Sequence, residues 1–366
     1  MPHRILHIIP SLDRSGAEKQ LVMLARGLPR DRFDVHVCVL TRSGPLSEEL
    51  DRAGIPWTLI GKRWKADPFA YLRLKRHLQD VQPDLVQTWL FAANSFGRAA
   101  ALAAGVRHVV ASERSVDPWK TWWQFAIDRR LAARTDAIVV NSSGVSDFYI
   151  RHGLPVDKFV VIPNGIEPPR PSRLTREALL DSLGLPHATR LIGTVGRLWP
   201  QKRMKDLIWA ADLLKVIRDD VHLVIVGDGP LRDRLERYRR QVRIEDRVHF
   251  LGHRDDVPDL LPHFDVYWLA SGYEGLPNVV MEAMASGVPV VATDIPGTRD
   301  LVQQDATGFL VRVGDRAGFA RYTLKLLEDA ALRHRIGVAA RERMNSEYSV
   351  ECMIARYGEL YARLLS

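Results

Sequence analysis

The residues with the clearest chemical potential are two carboxylates, Glu274 and Glu282, eight positions apart in the chain. Glu274 lies beside Gly275 in a predicted loop, and Pro277 suits the first turn of a helix because its missing N–H costs nothing there. Glu282 then falls on that helix. A helix N-terminus favours phosphate, and carboxylates accept hydrogen bonds from sugar hydroxyls. The segment predicts a nucleotide-sugar site, with the alternative that Glu282 merely complements the helix dipole.

A second pair of chemical groups, Arg197 and Lys202, follows a predicted strand that ends at Gly196. A bidentate guanidinium and an ammonium five residues apart can grip a diphosphate. They would stabilise the negative charge that develops as a nucleotide leaves, a task that a metal performs in other enzymes. Surface charges on a loop are the alternative, and the later two-glutamate segment favours the diphosphate interpretation.

Two glycine-containing turns carry weaker chemical signals. Gly16 opens the first predicted helix after Ser15, where the absent side chain lets the backbone approach a phosphate closely. An ordinary turn is an equal alternative there. The Gly227–Gly229 pair precedes Pro230, which removes a donor amide, so we predict a plain strand-to-helix turn. Neither turn is a Walker loop or a complete dinucleotide fingerprint, and no Asp-x-Asp metal pair stands at a strand end.

The elements that must hold these residues alternate between short apolar runs and amphipathic stretches. We predict strands at residues 5–9, 35–40, 85–88, 109–112, 137–140, 191–196, 222–227, 248–251, 265–269 and 289–292. We predict helices at residues 17–27, 47–53, 68–78, 93–104, 122–133, 204–217, 231–242, 277–285, 317–327 and 350–364. This alternation indicates parallel sheets covered on both faces, which bind ligands at the carboxyl ends of their strands.

Length and a proline-rich stretch predict two domains. A chain of 366 residues exceeds one ordinary domain. Residues 166–172 contain three prolines, which favour extended backbone and fit a linker. We therefore predict an α/β protein with two Rossmann-like, doubly wound domains at residues 1–170 and 171–346, followed by a terminal helix over residues 347–366.

Composition and charge restrict the class of protein and its partners. With 46% hydrophobic and 26% charged residues, the chain resembles soluble globular proteins. The net charge of +8 lies in residues 1–180, which hold 26 Lys and Arg against 18 Asp and Glu, whereas the remainder balances 26 against 26. This asymmetry predicts an anionic membrane surface or an acidic acceptor as a partner, unless the basic surface is merely solvated. Two distant cysteines, Cys38 and Cys352, fit a reducing cytoplasm.

Aromatic and basic residues are interleaved in two segments of the first half, residues 62–76 and 119–134. Such a mixture suits an interfacial helix that lies on anionic lipid. The alternative is a half-buried aromatic core with arginines that face water. The residues concerned are Lys62, Arg63, Trp64, Lys65, Phe69, Tyr71, Leu72, Arg73, Lys75, Arg76, Trp119, Lys120, Trp122, Trp123, Phe125, Arg129, Arg130 and Arg134.

Several of these segments together resemble the retaining glycosyltransferases of sequence family 4, which have the two-domain GT-B fold. The resemblance covers nearly the whole chain and is most specific in the C-terminal half. It implies two domains that face a cleft, of which the N-terminal one binds the acceptor and the C-terminal one binds the nucleotide-sugar donor. It also implies a terminal helix that crosses back to the first domain. The segments that carry it are residues 141–143, 163–166, 196–202, 226–230, 250–252, 274–285 and 287–292.

The resemblance also implies roles for individual residues. Arg197 and Lys202 would bind the donor diphosphate, and Glu274 would hold the transferred sugar. Glu282 would bind the ribose, and Gly16 would close over the phosphates from the opposite domain. Transfer with retention would need neither a metal nor another cofactor. A phosphate oxygen would take the acceptor proton, so no protein base would be required. The remainder of the donor-binding segment is Gly275, Leu276, Pro277 and Asn278.

Three departures from the family pattern affect these expectations. Ser15 replaces the first of two glycines, and Arg203 replaces the glycine after Lys202, adding a cation near the expected diphosphate. Histidines common in the first domain are missing, and residues 112–115 follow the strand there. Arg114 is therefore a candidate contact for the reacting centre or an anionic acceptor, with a paired surface arginine as the alternative.

The sequence as a whole predicts transfer of a sugar from a nucleotide-sugar to a glycan or lipid-linked acceptor in cell-envelope polysaccharide, lipopolysaccharide or glycolipid synthesis. UDP is the favoured nucleotide, with GDP and ADP as alternatives. We expect a cytoplasmic protein with peripheral contact at the inner face of the cytoplasmic membrane. Nucleic acid is not an expected partner, because no reading motif is present. The alternative function is a nucleotide-sugar epimerase on the same fold, which would act without an acceptor.

Overall fold

The chain is described over residues 1–366 by a computed structural model and forms two compact units. The first comprises Met1–Gly165 and Val350–Ser366, and the second comprises Ile166–Ser349. The chain thus leaves the first unit after Gly165, slightly before the predicted boundary at residue 170, and returns to it at Val350. The acceptor-binding and donor-binding roles of the two domains stay predictions.

The first unit is built around a seven-stranded parallel sheet in the order β3-β2-β1-β4-β5-β6-β7. The order reverses beside β1, which is the topological switch point of a doubly wound sheet. Its strands are β1 (His3–Ser11), β2 (Phe33–Arg42), β3 (Trp57–Leu59), β4 (Leu85–Trp89), β5 (His108–Glu113), β6 (Ala137–Val140) and β7 (Phe159–Val161). Its first helices are α1 (Gly16–Gly27), α2 (Ser47–Arg52), α3 (Pro68–Val81), α4 (Leu90–Ala104), α5 (Trp122–Ala132) and α6 (Ser143–Arg151).

The second unit repeats this design with a six-stranded parallel sheet in the order β10-β9-β8-β11-β12-β13. The switch point lies between β8 and β11. Its strands are β8 (Arg190–Val195), β9 (Val221–Val226), β10 (Val248–Gly252), β11 (Val266–Leu269), β12 (Val290–Thr293) and β13 (Gly308–Val311). Its helices are α7 (Arg176–Ser182), α8 (Met204–Lys215), α9 (Arg232–Gln241), α10 (Val257–Leu260), α11 (Asn278–Ala285), α12 (Pro296–Arg299), α13 (Arg316–Glu328) and α14 (Ala330–Glu347).

The terminal helix α15 (Val350–Leu365) packs on the first unit, as the sequence predicted. Its stripe of Met353, Tyr357, Leu360 and Tyr361 is buried in the same core as α1 and β1. Burying such a side chain contributes about 1.5–3 kcal/mol. Close packing with α1 requires Gly27, where a Cβ would overlap the Ile354 side chain. The helix therefore completes one face of the first sheet.

Several elements were not predicted from the sequence, and one helix, α11, begins later than predicted. Strands β3 and β7, each three residues long, were not predicted, and neither were β13 and the helices α6, α7, α10, α12 and α14. Helix α11 begins at Asn278, so Pro277 precedes the helix instead of opening its first turn. The remaining predicted strands and helices agree with the structure to within a few residues at their ends.

Candidate active site

Arg197 lies on the loop that follows β8 at the carboxyl edge of the second sheet. Leu198 is fully buried and anchors this loop, whereas Arg197 on one side and Trp199 on the other are exposed. The guanidinium carbon of Arg197 lies 5.4 Å from the centre of the Trp199 ring. Arg197 makes no ion pair within the protein. Its charge is consequently held over an aromatic face without being neutralised.

The glycine-containing turn after β9 packs against this loop. The Gly196 amide donates to the carbonyl of Val226 at 2.9 Å. A Cβ on Gly227 would lie 2.0 Å from the Gly196 carbonyl oxygen, and one on Gly229 would lie 2.9 Å from the Leu198 nitrogen. Both glycines also have positive φ. The turn thus serves close packing beneath the Arg197 loop, in agreement with its prediction as a plain turn.

Lys202 and Glu274, separated by 72 positions, meet at this edge. Lys202 Nζ lies 2.5 Å from Glu274 Oε1, and the Ser271 hydroxyl donates to the same oxygen at 2.7 Å. Both charged side chains are largely buried, with 15% and 12% exposed. The loops are also joined through Gln201, whose carbonyl accepts from the Gly272 amide at 2.9 Å. The sequence motifs identified Lys202 and Glu274 but missed Ser271 and Gln201, for which no separate signal exists.

The segment between the two glutamates is held from its other side. Leu276 is buried, and a Cβ on Gly297 of α12 would lie 2.0 Å from the Gly275 carbonyl oxygen. Glu282 is partly buried on α11. Burial, with smaller contributions from the charges of Glu282 and Glu274, raises the pKa of the Tyr267 hydroxyl. Both carboxylates therefore lie within electrostatic reach of one tyrosine at the carboxyl edge of the sheet.

Arg203 adopts the left-handed backbone conformation that its replaced glycine would favour, with φ of 50°. Its guanidinium pairs with Asp206 at 2.7 Å, and Asp206 also accepts from Arg316 Nε at 2.8 Å. The extra cation expected near a diphosphate is thus directed to a carboxylate on α8. The loop keeps a left-handed residue at this position although the glycine is replaced.

Gly16 lies in the first unit, where it is the first residue of α1. The adjoining turn of α1 is fixed by Gln20, whose side chain exchanges two hydrogen bonds of 2.8 Å with the backbone of Gly165. The predicted contact of Gly16 with donor phosphates stays a prediction.

Arg114 is not a paired surface arginine, and that alternative is wrong. Its side chain is buried beneath α15, donates to the Tyr357 hydroxyl at 3.2 Å and to Asn164 Oδ1, and lies 5.1 Å from the Trp89 ring centre. No carboxylate pairs with it. Burial lowers the pKa of this guanidinium. Its backbone carbonyl accepts from Asn141, which fixes the end of β5. A role toward the acceptor stays a prediction.

Lys120, which the sequence placed among surface cations, is instead the centre of a buried charge cluster. Its ammonium lies 3.0 Å from Asp128, 3.3 Å from Glu113 and 2.9 Å from the Tyr149 hydroxyl. Asp128 also pairs with buried Arg98 at 2.9 Å. Burial alone would lower the pKa of Lys120, but the surrounding carboxylates outweigh it and raise the pKa. The lysine is therefore a structural cation.

Asp117 completes this cluster and leaves it with three carboxyl groups against two cations. The Tyr149 hydroxyl lies 3.0 Å from Asp117 Oδ2 and 3.0 Å from Glu113 Oε2, yet it has a single proton to donate. A proton on one carboxyl group would supply the missing hydrogen bond and balance the charge. Burial and the charge of Glu113 raise the pKa of Asp117 to about 6.

Exposed aromatic residues lie at the starts of α3 and α5. Parallel strands place these helix starts at the carboxyl edge of the first sheet. Phe125, in contrast, is buried in the core. Residues 119–134 thus contain both exposed aromatic side chains, as the interfacial-helix interpretation predicts, and a buried one, as the aromatic-core interpretation predicts. Within residues 62–76 and 119–134, the exposed large apolar side chains are Trp64, Phe69, Leu72, Trp119, Trp122, Trp123 and Ile127, of which Trp122 is the most exposed at 79%. We call these seven residues the aromatic edge.

Two further features of the structure concern metals and membranes. No group of three or more His, Cys, Asp and Glu side chains is arranged to hold a metal ion. None of the helices has the length and apolar character needed to span a bilayer. Independence from a metal stays a prediction.

Comparison with known proteins matches both halves of the chain to glycosyltransferases. The model of glycosyl transferases group 1 matches residues 175–343, and that of glycosyltransferase family 4 matches residues 14–170. The Escherichia coli UDP-Gal:alpha-D-GlcNAc-diphosphoundecaprenol alpha-1,3-galactosyltransferase is 29% identical over 341 residues, covering 87% of this chain and 86% of that protein. The Rhizobium meliloti lipopolysaccharide core biosynthesis glycosyltransferase LpsE is 31% identical over 62% of this chain and 64% of that protein.

Solved structures show the same fold. HepE from Anabaena in complex with UDP superposes with a TM-score of 0.87 at 24% identity, over 98% of this chain and all of that one. A complex of the same protein with UDP-glucose gives a TM-score of 0.86. Together with the two parallel sheets and the matches in both halves, these similarities show that the chain belongs to family 4 of the glycosyltransferases and is a glycosyltransferase of the GT-B fold.

Proposed function

We propose that this glycosyltransferase transfers a sugar, with retention of its anomeric configuration, from a UDP-sugar to a lipid-linked or envelope-glycan acceptor. The observation that carries the donor side is the meeting of Lys202 with Glu274 beside the exposed guanidinium of Arg197. Cations for a diphosphate and a carboxylate for sugar hydroxyls thus share one edge of one sheet. The bound UDP and UDP-glucose of the Anabaena protein support UDP as the nucleotide.

The chemical step needs charge stabilisation more than a protein base. The acceptor oxygen bonds to the anomeric carbon as the bond from that carbon to the phosphate oxygen breaks, and the bonding electrons stay on the phosphate. The acceptor proton passes to a phosphate oxygen on the same face. Arg197 and Lys202 stabilise the departing diphosphate, Glu282 binds the ribose, and Glu274 orients the sugar. No metal is required, so chelation with EDTA should leave turnover unchanged.

The acceptor side rests on relatives and on surface chemistry. The named E. coli relative acts on a diphosphoundecaprenol-linked sugar, and the Rhizobium relative belongs to lipopolysaccharide core synthesis. Trp122 and Trp119 of the aromatic edge are amphipathic side chains that suit a membrane interface. The basic excess of residues 1–180 adds attraction to anionic lipid. We infer that the aromatic edge faces the cytoplasmic membrane surface that holds the acceptor.

A thermal-shift panel of UDP-, GDP- and ADP-sugars tests the donor. Because a ligand stabilises the state that it binds, UDP-sugars should raise the melting temperature most. Activity is then measured with the stabilising donor, with and without a lipid-diphosphate-linked glycan. Transfer to the glycan supports the proposal. Conversion of the donor alone into an epimer would instead establish the epimerase, and the absence of a shift with every UDP-sugar would contradict the nucleotide assignment.

Vesicle flotation tests the membrane surface separately. Trp122→Ser should weaken binding to vesicles that contain phosphatidylglycerol, because the most exposed ring of the aromatic edge is lost. Trp209→Ser is a matched control, since Trp209 is also exposed, at 40%, but lies in the second unit. Equal flotation of the two variants and the wild type would contradict a membrane role for this edge.

A further inference from the structure

We propose that Trp199 is a positioning residue that holds the Arg197 guanidinium ready for the donor diphosphate. The inference rests on the proposed function, because it assigns the cation that Trp199 holds to the leaving group. Trp199 lies between the two donor cations in sequence and is 49% exposed. A large aromatic side chain that remains half in water at this edge contributes less to the core than its size would allow.

The ring is the side-chain partner of Arg197. The guanidinium carbon lies 5.4 Å from the ring centre, within the range of a cation–π contact. The other cations of this region are paired with carboxylates, namely Lys202 with Glu274 and Arg203 with Asp206. A carboxylate beside Arg197 would compete with a phosphate for its N–H groups. An aromatic face restrains the guanidinium and leaves those donors available.

The backbone of Trp199 links the same two cations. Its amide donates to the Arg197 carbonyl at 2.8 Å, and its carbonyl accepts from the Lys202 amide at 3.0 Å. Trp199 has extended backbone angles, φ −114° and ψ 158°, which the following Pro200 favours. The buried Leu198 side chain anchors the loop next to it. The point at which the Trp199 side chain leaves the backbone is thus fixed by the turn that also carries Lys202.

Trp209 offers an internal comparison. It is 40% exposed, and the Arg316 guanidinium lies 4.5 Å from its ring centre. Arg316, however, also pairs with Asp206 at 2.8 Å, so its orientation does not depend on the ring alone. Arg316 is therefore oriented by both an aromatic ring and a carboxylate, whereas Arg197 has the Trp199 ring as its side-chain partner. Trp209 is a matched control for the loss of an exposed indole over an arginine.

The test compares Trp199→Ala, Trp199→Phe and Trp209→Ala in steady-state turnover of the UDP-sugar. Trp199→Ala should lower kcat by about tenfold, with a smaller change in KM, because Arg197 acts chiefly on the leaving group. Trp199→Phe should recover most of the loss, since it keeps a ring, and Trp209→Ala should match the wild type. The melting temperature of Trp199→Ala, measured alongside, verifies that it is folded.

A double variant decides whether the ring acts through Arg197. In the Arg197→Ala background, Trp199→Ala should cause no further loss of kcat, because residues that act as a unit are not additive. Losses that multiply, or a Trp199→Ala variant as active as Trp209→Ala, would overturn the inference. A wild-type protein that transfers no sugar from any nucleotide-sugar would refute the proposed function instead.

Discussion

The charged side chains at the carboxyl edges of the two sheets differ in their exposure to solvent. In the second unit, Arg197 is exposed on a loop, and the Lys202–Glu274 pair retains some contact with solvent. In the first unit, Lys120 is fully buried among carboxylates, and Arg114 is buried without one. The second sheet therefore carries charges that a ligand can reach, whereas the first sheet carries interior charges that affect the stability of the fold.

The difference follows from what covers each edge. In the first unit, α15 covers Arg114, and α5 and α6 enclose Lys120 through Asp128 and Tyr149. Removing one partner from a buried ion cluster leaves uncompensated charge, which costs far more than breaking an exposed pair. Substitutions should thus mainly change stability in the first unit and turnover in the second.

The largest expected effect is that of Lys120→Ala. Loss of the ammonium leaves Glu113, Asp117 and Asp128 facing one another with Arg98 as their remaining cation, so unfolding free energy should fall by about 3–5 kcal/mol. Urea unfolding measures this change. Lys19→Ala, at an exposed position of α1, should stay within about 0.5 kcal/mol of the wild type. Equal stabilities for the two variants would remove the contrast between the units.

The second effect is a pH dependence of stability that arises from Asp117. Its pKa is about 6 in the folded protein and 3.8 ordinarily. The folded state therefore binds more protons between these values, and stability from this group falls as pH rises from about 4 through 6. The loss is roughly 3 kcal/mol. Asp117→Asn, which mimics the protonated group, should remove this dependence when the two proteins are compared from pH 4 to 8, and parallel pH profiles would contradict it.

The third effect concerns turnover in the second unit. Glu274→Gln keeps the shape of the side chain but removes the charge that orders Lys202, so kcat should fall by about 100-fold. Stability should fall by less than in Lys120→Ala, because the glutamine carbonyl oxygen can still accept the hydrogen bonds of Lys202 and Ser271. Glu245→Gln, at an exposed position, is the matched control. A stability loss as large as that of Lys120→Ala, with normal turnover, would reverse the comparison.

The smallest effect is expected at Arg203. Arg203→Gly relieves the cost of φ 50° but loses the pair with Asp206, so the two terms should nearly cancel. Arg203→Ala loses the pair and keeps the backbone cost, so it should be less stable than the glycine variant by about 1 kcal/mol. Turnover of both should stay within about threefold, because the Arg203 charge is directed to Asp206. A large loss of kcat would show that Arg203 acts on the diphosphate.

Candidate residues were easier to identify from the sequence in the second unit than in the first, because the signals there are local. Arg197 and Lys202 follow a predicted strand that ends at Gly196, and Glu274 and Glu282 lie on either side of a helix start, so spacing and the resemblance to family 4 together singled them out. The contact between Lys202 and Glu274, which are 72 positions apart, could be seen only in the folded structure. Each motif nevertheless pointed to the same edge of the sheet.

In the first unit, spacing was misleading because burial depends on how successive elements pack against one another. Lys120 lies among exposed tryptophans in sequence, yet Glu113 and Asp128 from neighbouring elements enclose it. Regular structure was missed for related reasons. Strand β3 is held mainly by pairing with β2, and α14 buries a narrow stripe that includes small residues such as Ala340. Such patterns carry little periodic signal.

The most direct test of the donor assignment is a comparison of Arg197→Ala with Glu282→Ala on the same UDP-sugar. Turnover is measured for each variant, and the dissociation constant of free UDP is measured by calorimetry. We predict that Arg197→Ala lowers kcat by about 100-fold or more with a smaller change in UDP affinity, whereas Glu282→Ala chiefly weakens UDP binding. Unchanged turnover of the Arg197→Ala variant would contradict it.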